Sequence, residues 1–358
     1  MEKWKLGLFC AGILCMVYAC KQDGKSAADA DKAMQDKNQE ELNATAYAVT
    51  LDGKRLLEIP EPDSMKIANK AELDAARMHY LGHLSEVKPY LNYGILCLKS
   101  GFIENAIQVF GKGLEQFPNT ADLHLYRGIA AVQGRQFRVA IDDFWKAGKG
   151  VEGQRNVKGI LDKSPEEKKI DATIQYDIYK WMGLAFQCQG DFSNAEKMYE
   201  VCGDFSTNSD LYCMSYYWQY QSYKRAGRDK DADGILETID PKMFITPVTK
   251  PYLDAMLYYK GALNEQDLVD FNKLPQSSKE AFDWTIKAYA VAVNSLLEKN
   301  EVKYVETLEK IMAIPYWNQM PYIAAEAELH KIKGYDYEQM ETQELNTDKK
   351  KKKTLKVY

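Results

Sequence analysis

Small and large residues recur along this chain at a fixed distance, and that recurrence constrains the fold more than anything else in it. Tyr93-Gly94, Gly101, Ala106, Phe110, Gly113 and Pro118 are followed 34 residues later by Gly128, Ala140, Phe144 and Ala147. A small residue lets one helix approach its neighbour, an Ala sits at the crossing, a large residue fills the space beside it, and a Pro ends the second helix. Two helices need that alternation to pack antiparallel and then stack on the next pair. The series resumes at Gly183, Gly190, Ala195 and Tyr199, 55 residues after Gly128, which is one period plus a 21-residue insert. Residues 149–172, rich in Gly and Lys, are read as that insert and as a long loop. Tyr220, Gly227, Ala232 and Leu236 make a fourth unit. A degenerate pair is expected at 288–311 and a closing amphipathic helix at 322–333. A helix at 67–84 should cap the other end, with Lys66, Lys70, Glu72 and Asp74 available for a polar outer face. Residues 254–271 break the register and are expected to form an extra helix pair. The fold class is all-α, a helix-turn-helix solenoid over residues 61–335. Such stacks grow without a second core, so the 358 residues need not be divided into domains by length.

The 34-residue period is that of the tetratricopeptide repeat (TPR). From Tyr90 to about Gly334 the chain resembles a family of bacterial TPR lipoproteins. The resemblance is carried by Leu125-Tyr126-Arg127-Gly128, Arg135-Gln136-Phe137, Gly183-Leu184-Ala185-Phe186, Gly190-Asp191-Phe192 and the run Tyr322-Ile-Ala-Ala-Glu-Ala-Glu-Leu329. A looser likeness, through Leu257-Tyr258-Tyr259-Lys260-Gly261, runs to outer-membrane TPR lipoproteins that serve as adaptors of peptidoglycan endopeptidases. The resemblance implies a binding scaffold or adaptor at the cell envelope. Helical repeats specify fold well and partner badly, so function must be argued from the surface.

The N-terminus supplies an address. Lys3 and Lys5 precede an uncharged apolar run over residues 6–19, the pattern of an export signal. Fourteen residues are too few to span a bilayer comfortably, which takes about 20. The run ends Val17-Tyr18-Ala19-Cys20, which resembles a bacterial lipobox and marks Cys20 for lipid attachment. Residues 1–19 are therefore expected to be a lipoprotein signal peptide. Lys21 is not the Asp that retains enterobacterial lipoproteins at the inner membrane, so the outer membrane is favoured. Residues 20–60 read as a lipid-anchored tether, polar to about residue 42 and then a short hairpin around Asp52-Gly53. The tail at 336–358 is acidic and then basic, ending in five consecutive lysines at 349–353, and reads as a disordered charged segment that would lean on anionic headgroups.

On the concave face of such a stack the first helices of the units would present Lys88, Leu91, Ile95 and Lys99, then Leu125, Ile129 and Gln133, then Lys180, Leu184 and Gln187, and last Tyr217, Gln221, Lys224 and Arg225. This face starts apolar and ends basic, as would suit a protein segment with an apolar anchor and an acidic flank. The alternative is that Leu91, Ile95, Leu125 and Ile129 are packed under the capping helix or the N-terminal segment. The cluster Tyr216-Tyr217-Trp218-Gln219-Tyr220 suggests an aromatic platform for sugar or peptide, although such residues in a helix more often divide between core and one exposed ring. A glycan-binding module, or a structural or assembly subunit of an envelope complex, is the alternative function. His79 and His83 stand four apart but lack a zincin Glu and a third ligand, so no metal site is assigned. Cys97, Cys188, Cys202 and Cys213 fall where small apolar residues belong and read as buried thiols; a Cys202–Cys213 bridge is the alternative in an oxidising compartment. No phosphate-binding loop or nucleophile elbow appears, so neither an enzyme nor a cofactor is expected. A net charge of -5 gives no field that would recruit nucleic acid.

Overall fold

The computed structural model describes residues 48–334, apart from Arg55, Lys163 and the side chain of Glu166. The signal peptide, Cys20, the polar part of the tether and the charged tail lie outside the described residues. Among the described residues the chain is all-helical, with fifteen helices in adjacent pairs and no strand. Helix α1 (Asp63–Gly82) comes first. Four hairpins follow: α2 (Val87–Lys99) with α3 (Ile103–Gln116), α4 (Ala121–Gln133) with α5 (Phe137–Gly150), α7 (Ile174–Cys188) with α8 (Phe192–Asp204), and α9 (Ser209–Arg225) with α10 (Asp229–Thr238). Helix α6 (Pro165–Ile170) lies in the insert between the second and third. A fifth unit has α11 (Lys250–Tyr259) and the one-turn α12 (Glu265–Leu268), a sixth has α13 (Ser278–Leu297) and α14 (Glu301–Met312), and α15 (Met320–Ile332) closes the series.

The hairpins close as tightly as they do because three first helices lack a side chain where a ring from the second helix arrives. A Cβ on Gly94 would stand 2.4 Å from the Phe110 ring, on Gly128 2.6 Å from Phe144, and on Gly183 2.5 Å from Tyr199. Phe110, Phe144 and Tyr199 are fully buried, as are Ala106, Ala140 and Ala195 at the crossings. The alternation that defines the sequence period is thus a close contact between backbone and ring face.

A second regularity, invisible to a search for small and large residues, runs through all six units. Each first helix ends on a residue with positive φ: Gly101, Arg135, Gly190, Gly227, Gly261 and Lys299. The next N–H then donates back to the carbonyl five residues before it, from Phe102 to Cys97 (2.8 Å), Gln136 to Ala131 (2.7 Å) and so on to Asn300 with Ser295 (2.8 Å). This is the left-handed C-terminal closure that satisfies otherwise unpaired helix carbonyls. It corrects the expectation for residues 254–271. Gly261 follows Gly227 by 34 residues, so this segment is a unit in register and not an extra pair. Its second helix is cut short. After Leu268 the sequence Val-Asp-Phe-Asn-Lys-Leu-Pro275 favours turns, and the Asp270 carboxylate accepts from Asn272 N at 2.9 Å in competition with any helix.

Two smaller expectations are also corrected. The 149–172 insert is not all loop, because Ser164 and Glu167 form a reciprocal capping box that starts α6. The expected N-terminal hairpin is a tight turn without strands, closed by Leu56 N to Ala48 O at 2.9 Å, and Ala48, Leu51 and Leu56 are buried in the main core.

One buried charge cluster staples a hairpin from within. Asp143 of α5 accepts from Arg127 Nε (2.7 Å) and Nη2 (2.6 Å) on α4 and lies 2.9 Å from His124 Nδ1. Burial alone would push this carboxyl up, but the hydrogen bonds from His124 and Arg127 and the guanidinium charge outweigh it and hold the group below its ordinary 3.8. A folded value below the unfolded one means that the stability it contributes is present above that ordinary value and fades as the pH falls through the folded one. In urea unfolding, Asp143→Asn should therefore cost stability at pH 7, and the gap to wild type should narrow at pH 3. Gly183→Ala should cost ~1–3 kcal/mol by overpacking against Tyr199. Gly234→Ala, in exposed α10 with nothing within 4 Å of the new methyl, should instead gain ~0.5–1 kcal/mol.

Candidate functional site

The face expected to be an open groove is filled by the chain itself. Helix α15 packs against α7, α13 and α14, and reaches the ends of α4 and α9 through two buried ion pairs. A helix that touches the first helices of units two, three, four and six can only run along their common inner side. At the first pair, Arg135 Nη2 donates to Glu326 at 2.6 Å and to Trp317 O at 3.1 Å, while Leu51 N donates to the other Glu326 oxygen at 2.8 Å. The guanidinium also lies over the Trp317 and Tyr322 rings, and Trp317 Nε1 donates to Leu57 O at 2.8 Å. One residue on α15 therefore joins the second unit to the N-terminal turn.

The second pair sits deeper. Arg225 Nη2 donates to Glu328 at 3.0 Å, and the Tyr289 and Tyr304 hydroxyls donate to the same carboxylate. Tyr289 in turn accepts from Gln187 Nε2 at 2.8 Å, and Gln187 Oε1 accepts from Tyr199 at 3.1 Å. Burial on its own would push the Arg225 guanidinium down, but Glu328 more than offsets it and keeps the group charged. Burial, then the Glu328 charge, pushes the Tyr289 and Tyr304 hydroxyls up, so they remain donors. The arrangement is a fixed, neutralised clamp.

The expected groove residues fall into place accordingly. Leu91, Leu125, Ile129, Leu184, Tyr217 and Gln221 are buried, with Leu91, Leu125 and Ile129 in one apolar cluster with Leu51, Trp317 and Tyr322. Ile95, Gln133 and Lys180 are half-buried, and Lys88 and Lys99 are exposed at the edges. Gln187 and Arg225 belong to the clamp, and Lys224 pairs with Asp229. The apolar-to-basic path across these helices is real, but its occupant is α15 together with residues 48–59. Two carboxylates in the otherwise apolar run from Tyr322 to Leu329 were the available signal, because a buried charge calls for a partner. Tyr289, Tyr304 and Trp317 carried no such signal.

The remaining candidates resolve similarly. Tyr217, Trp218 and Tyr220 are buried and only Tyr216 is half-exposed, so the aromatic cluster is core. His79 and His83 are exposed and stacked, ring centroids 4.2 Å apart. Cys97, Cys188, Cys202 and Cys213 are buried free thiols, not bridged. Burial pushes Cys97 up to about 11 and Cys213 to about 12.

Open space lies elsewhere, on the outer side. A cleft of about 800 Å³ sits between the first halves of α11 and α13, walled by Pro247, Pro251 and Pro275 and floored by Leu268, Phe282 and Trp284. A smaller hollow of about 410 Å³ is framed by the insert and by Trp145, Tyr179 and Phe205, the last two stacked at 5.8 Å. Trp145 is 51% exposed. No protein-family model and no curated protein matches the chain. The architecture and these clefts therefore carry the functional argument.

If the clamps hold α15 as described, Glu328→Ala, which strands the Arg225 guanidinium, should cost ~3–5 kcal/mol in denaturant unfolding. The paired change Arg225→Met with Glu328→Leu should cost less than that single change.

Proposed function

We propose that this chain is a TPR scaffold, held at the bacterial cell envelope by lipid on Cys20, that binds other proteins through its outer surface. The observation that carries the reading is the combination of a filled inner face with an open cleft at the fifth unit. A stack of helical hairpins offers surface and shape, and here the inner surface is already committed to α15. A partner would dock on the outer side, where the cleft presents an apolar floor between two helices and a charged rim. The looser resemblance to envelope adaptors of peptidoglycan endopeptidases agrees with this placement. Glycan binding is a second reading, favoured by the half-exposed Trp145 beside the smaller hollow, since a flat ring at a cleft mouth suits a sugar face.

Crosslinking in living cells followed by affinity capture and mass spectrometry tests the scaffold reading. One envelope protein should be captured by the wild type and lost from a Cys20→Ala form, which should also fail to incorporate labelled fatty acid. Specific capture of no protein by either form would overturn the scaffold, and a glycan array would then decide the second reading.

A further inference from the structure

We infer that the cleft of the fifth unit is completed in trans by an acidic amphipathic helix of another protein, a proposal that rests on the scaffold reading above. The argument begins with the register. In each of the first three units the second helix packs against its own first helix and the first helix of the next unit: α3 on α2 and α4, α5 on α4 and α7, α8 on α7 and α9. The fifth unit keeps the period and the left-handed turn at Gly261, but α12 supplies only one turn. Helices α11 and α13 pack on each other, and the cleft opens over their first halves, on the surfaces a full second helix would cover. The empty volume is therefore the place of a missing repeat element.

The walls describe what would fill it. The floor is apolar, and at the mouth Val248 and Leu274 are 40% and 45% exposed, with Phe244, three residues before Pro247, 92% exposed. Exposed large side chains gathered at one cleft mark a contact surface. Three prolines stiffen the walls, so little ordering would be needed on binding.

The charges select the sign of the partner. The carboxylates of the cleft are engaged: Asp270 accepts from Asn272 N at 2.9 Å, Glu280 from Gln276 N at 2.9 Å, and Asp283 pairs with Lys287 at 3.0 Å. Lys287 is further held by Asp254 at 3.4 Å. Lys273 and Lys279 have no ion-pair partner among the described residues, which leaves a positive rim around an apolar floor. A helix laying aliphatic or aromatic anchors at i, i+3 or i+4 into the floor, with Asp or Glu flanking them, fits both features.

The test is panning of a phage-displayed library of helical peptides on the immobilised full chain, with affinities of the enriched peptides measured by fluorescence polarisation. The expected winners carry apolar anchors at helical spacing flanked by carboxylates. They should bind Lys273→Glu/Lys279→Glu at least about tenfold more weakly, and Glu→Lys versions should recover binding to that variant. The substitutions are on the surface, and circular dichroism with a urea melt should show an unchanged fold. Enrichment of peptides without carboxylates, equal binding to the reversed variant, or no enrichment would overturn the proposal. So would a Val248→Asp change that alters the sedimentation of the protein alone, because the occupant would then be a second copy. If cells carrying the reversed variant still capture the wild-type partner, the cleft assignment fails and the scaffold reading stands; if neither form captures a protein, both fail.

Discussion

Backbone meeting ring face is the contact on which the rest of this molecule depends. At Gly94, Gly128 and Gly183 the first helix of a unit comes so close to Phe110, Phe144 or Tyr199 that a single added carbon would overlap the ring. Closeness at that point fixes the angle of each hairpin, and the repetition of the angle sets how the next hairpin stacks. The fourth unit manages with Tyr220 in place of a glycine, and there the ring stacks on Tyr259 of the following unit at 4.5 Å. The first contact is kept by leaving atoms out, the second by spending a large side chain across units.

Closure is a separate problem, and it is solved electrostatically. Two guanidinium–carboxylate pairs, Arg135 with Glu326 and Arg225 with Glu328, fasten α15 into the inner face at positions far apart along the chain. Buried pairs are poor sources of net stability but costly to break and demanding in geometry, so they specify where α15 sits more than how firmly the domain holds. Arg135 shows the priority given to this. It occupies the left-handed turn position at φ 61° where four of the other five units have glycine, and its side chain is what reaches Glu326 and Trp317.

Much of this was legible from residue types alone. The hairpins of units one to four, the capping and closing helices and the burial of the four cysteines follow from size and spacing. What escaped was of two kinds. The inner-face residues were correctly aligned on one side of their helices, but alignment says nothing about occupancy, and α15 lies about 190 residues beyond Arg135 in the chain. The fifth unit was misjudged because its small and large markers are absent: Asp254 stands where the close approach would be, and its second helix is a single turn. Its period survives only in the positive φ of Gly261, a backbone property that a search by side-chain size does not weigh.

The separation between local hairpins and distant clamps orders the events of folding. Each hairpin joins residues that are near neighbours in sequence, so its loop-closure entropy is small and it can form early. Seating α15 joins Arg135 to Glu326 across 191 residues and Leu51 to Glu326 across 275, and neither link can form until the stack between them has its curvature. The terminal helix is therefore the last element to arrive and the first able to leave, a detachable unit whose opening would expose the inner face without melting the hairpins beneath it.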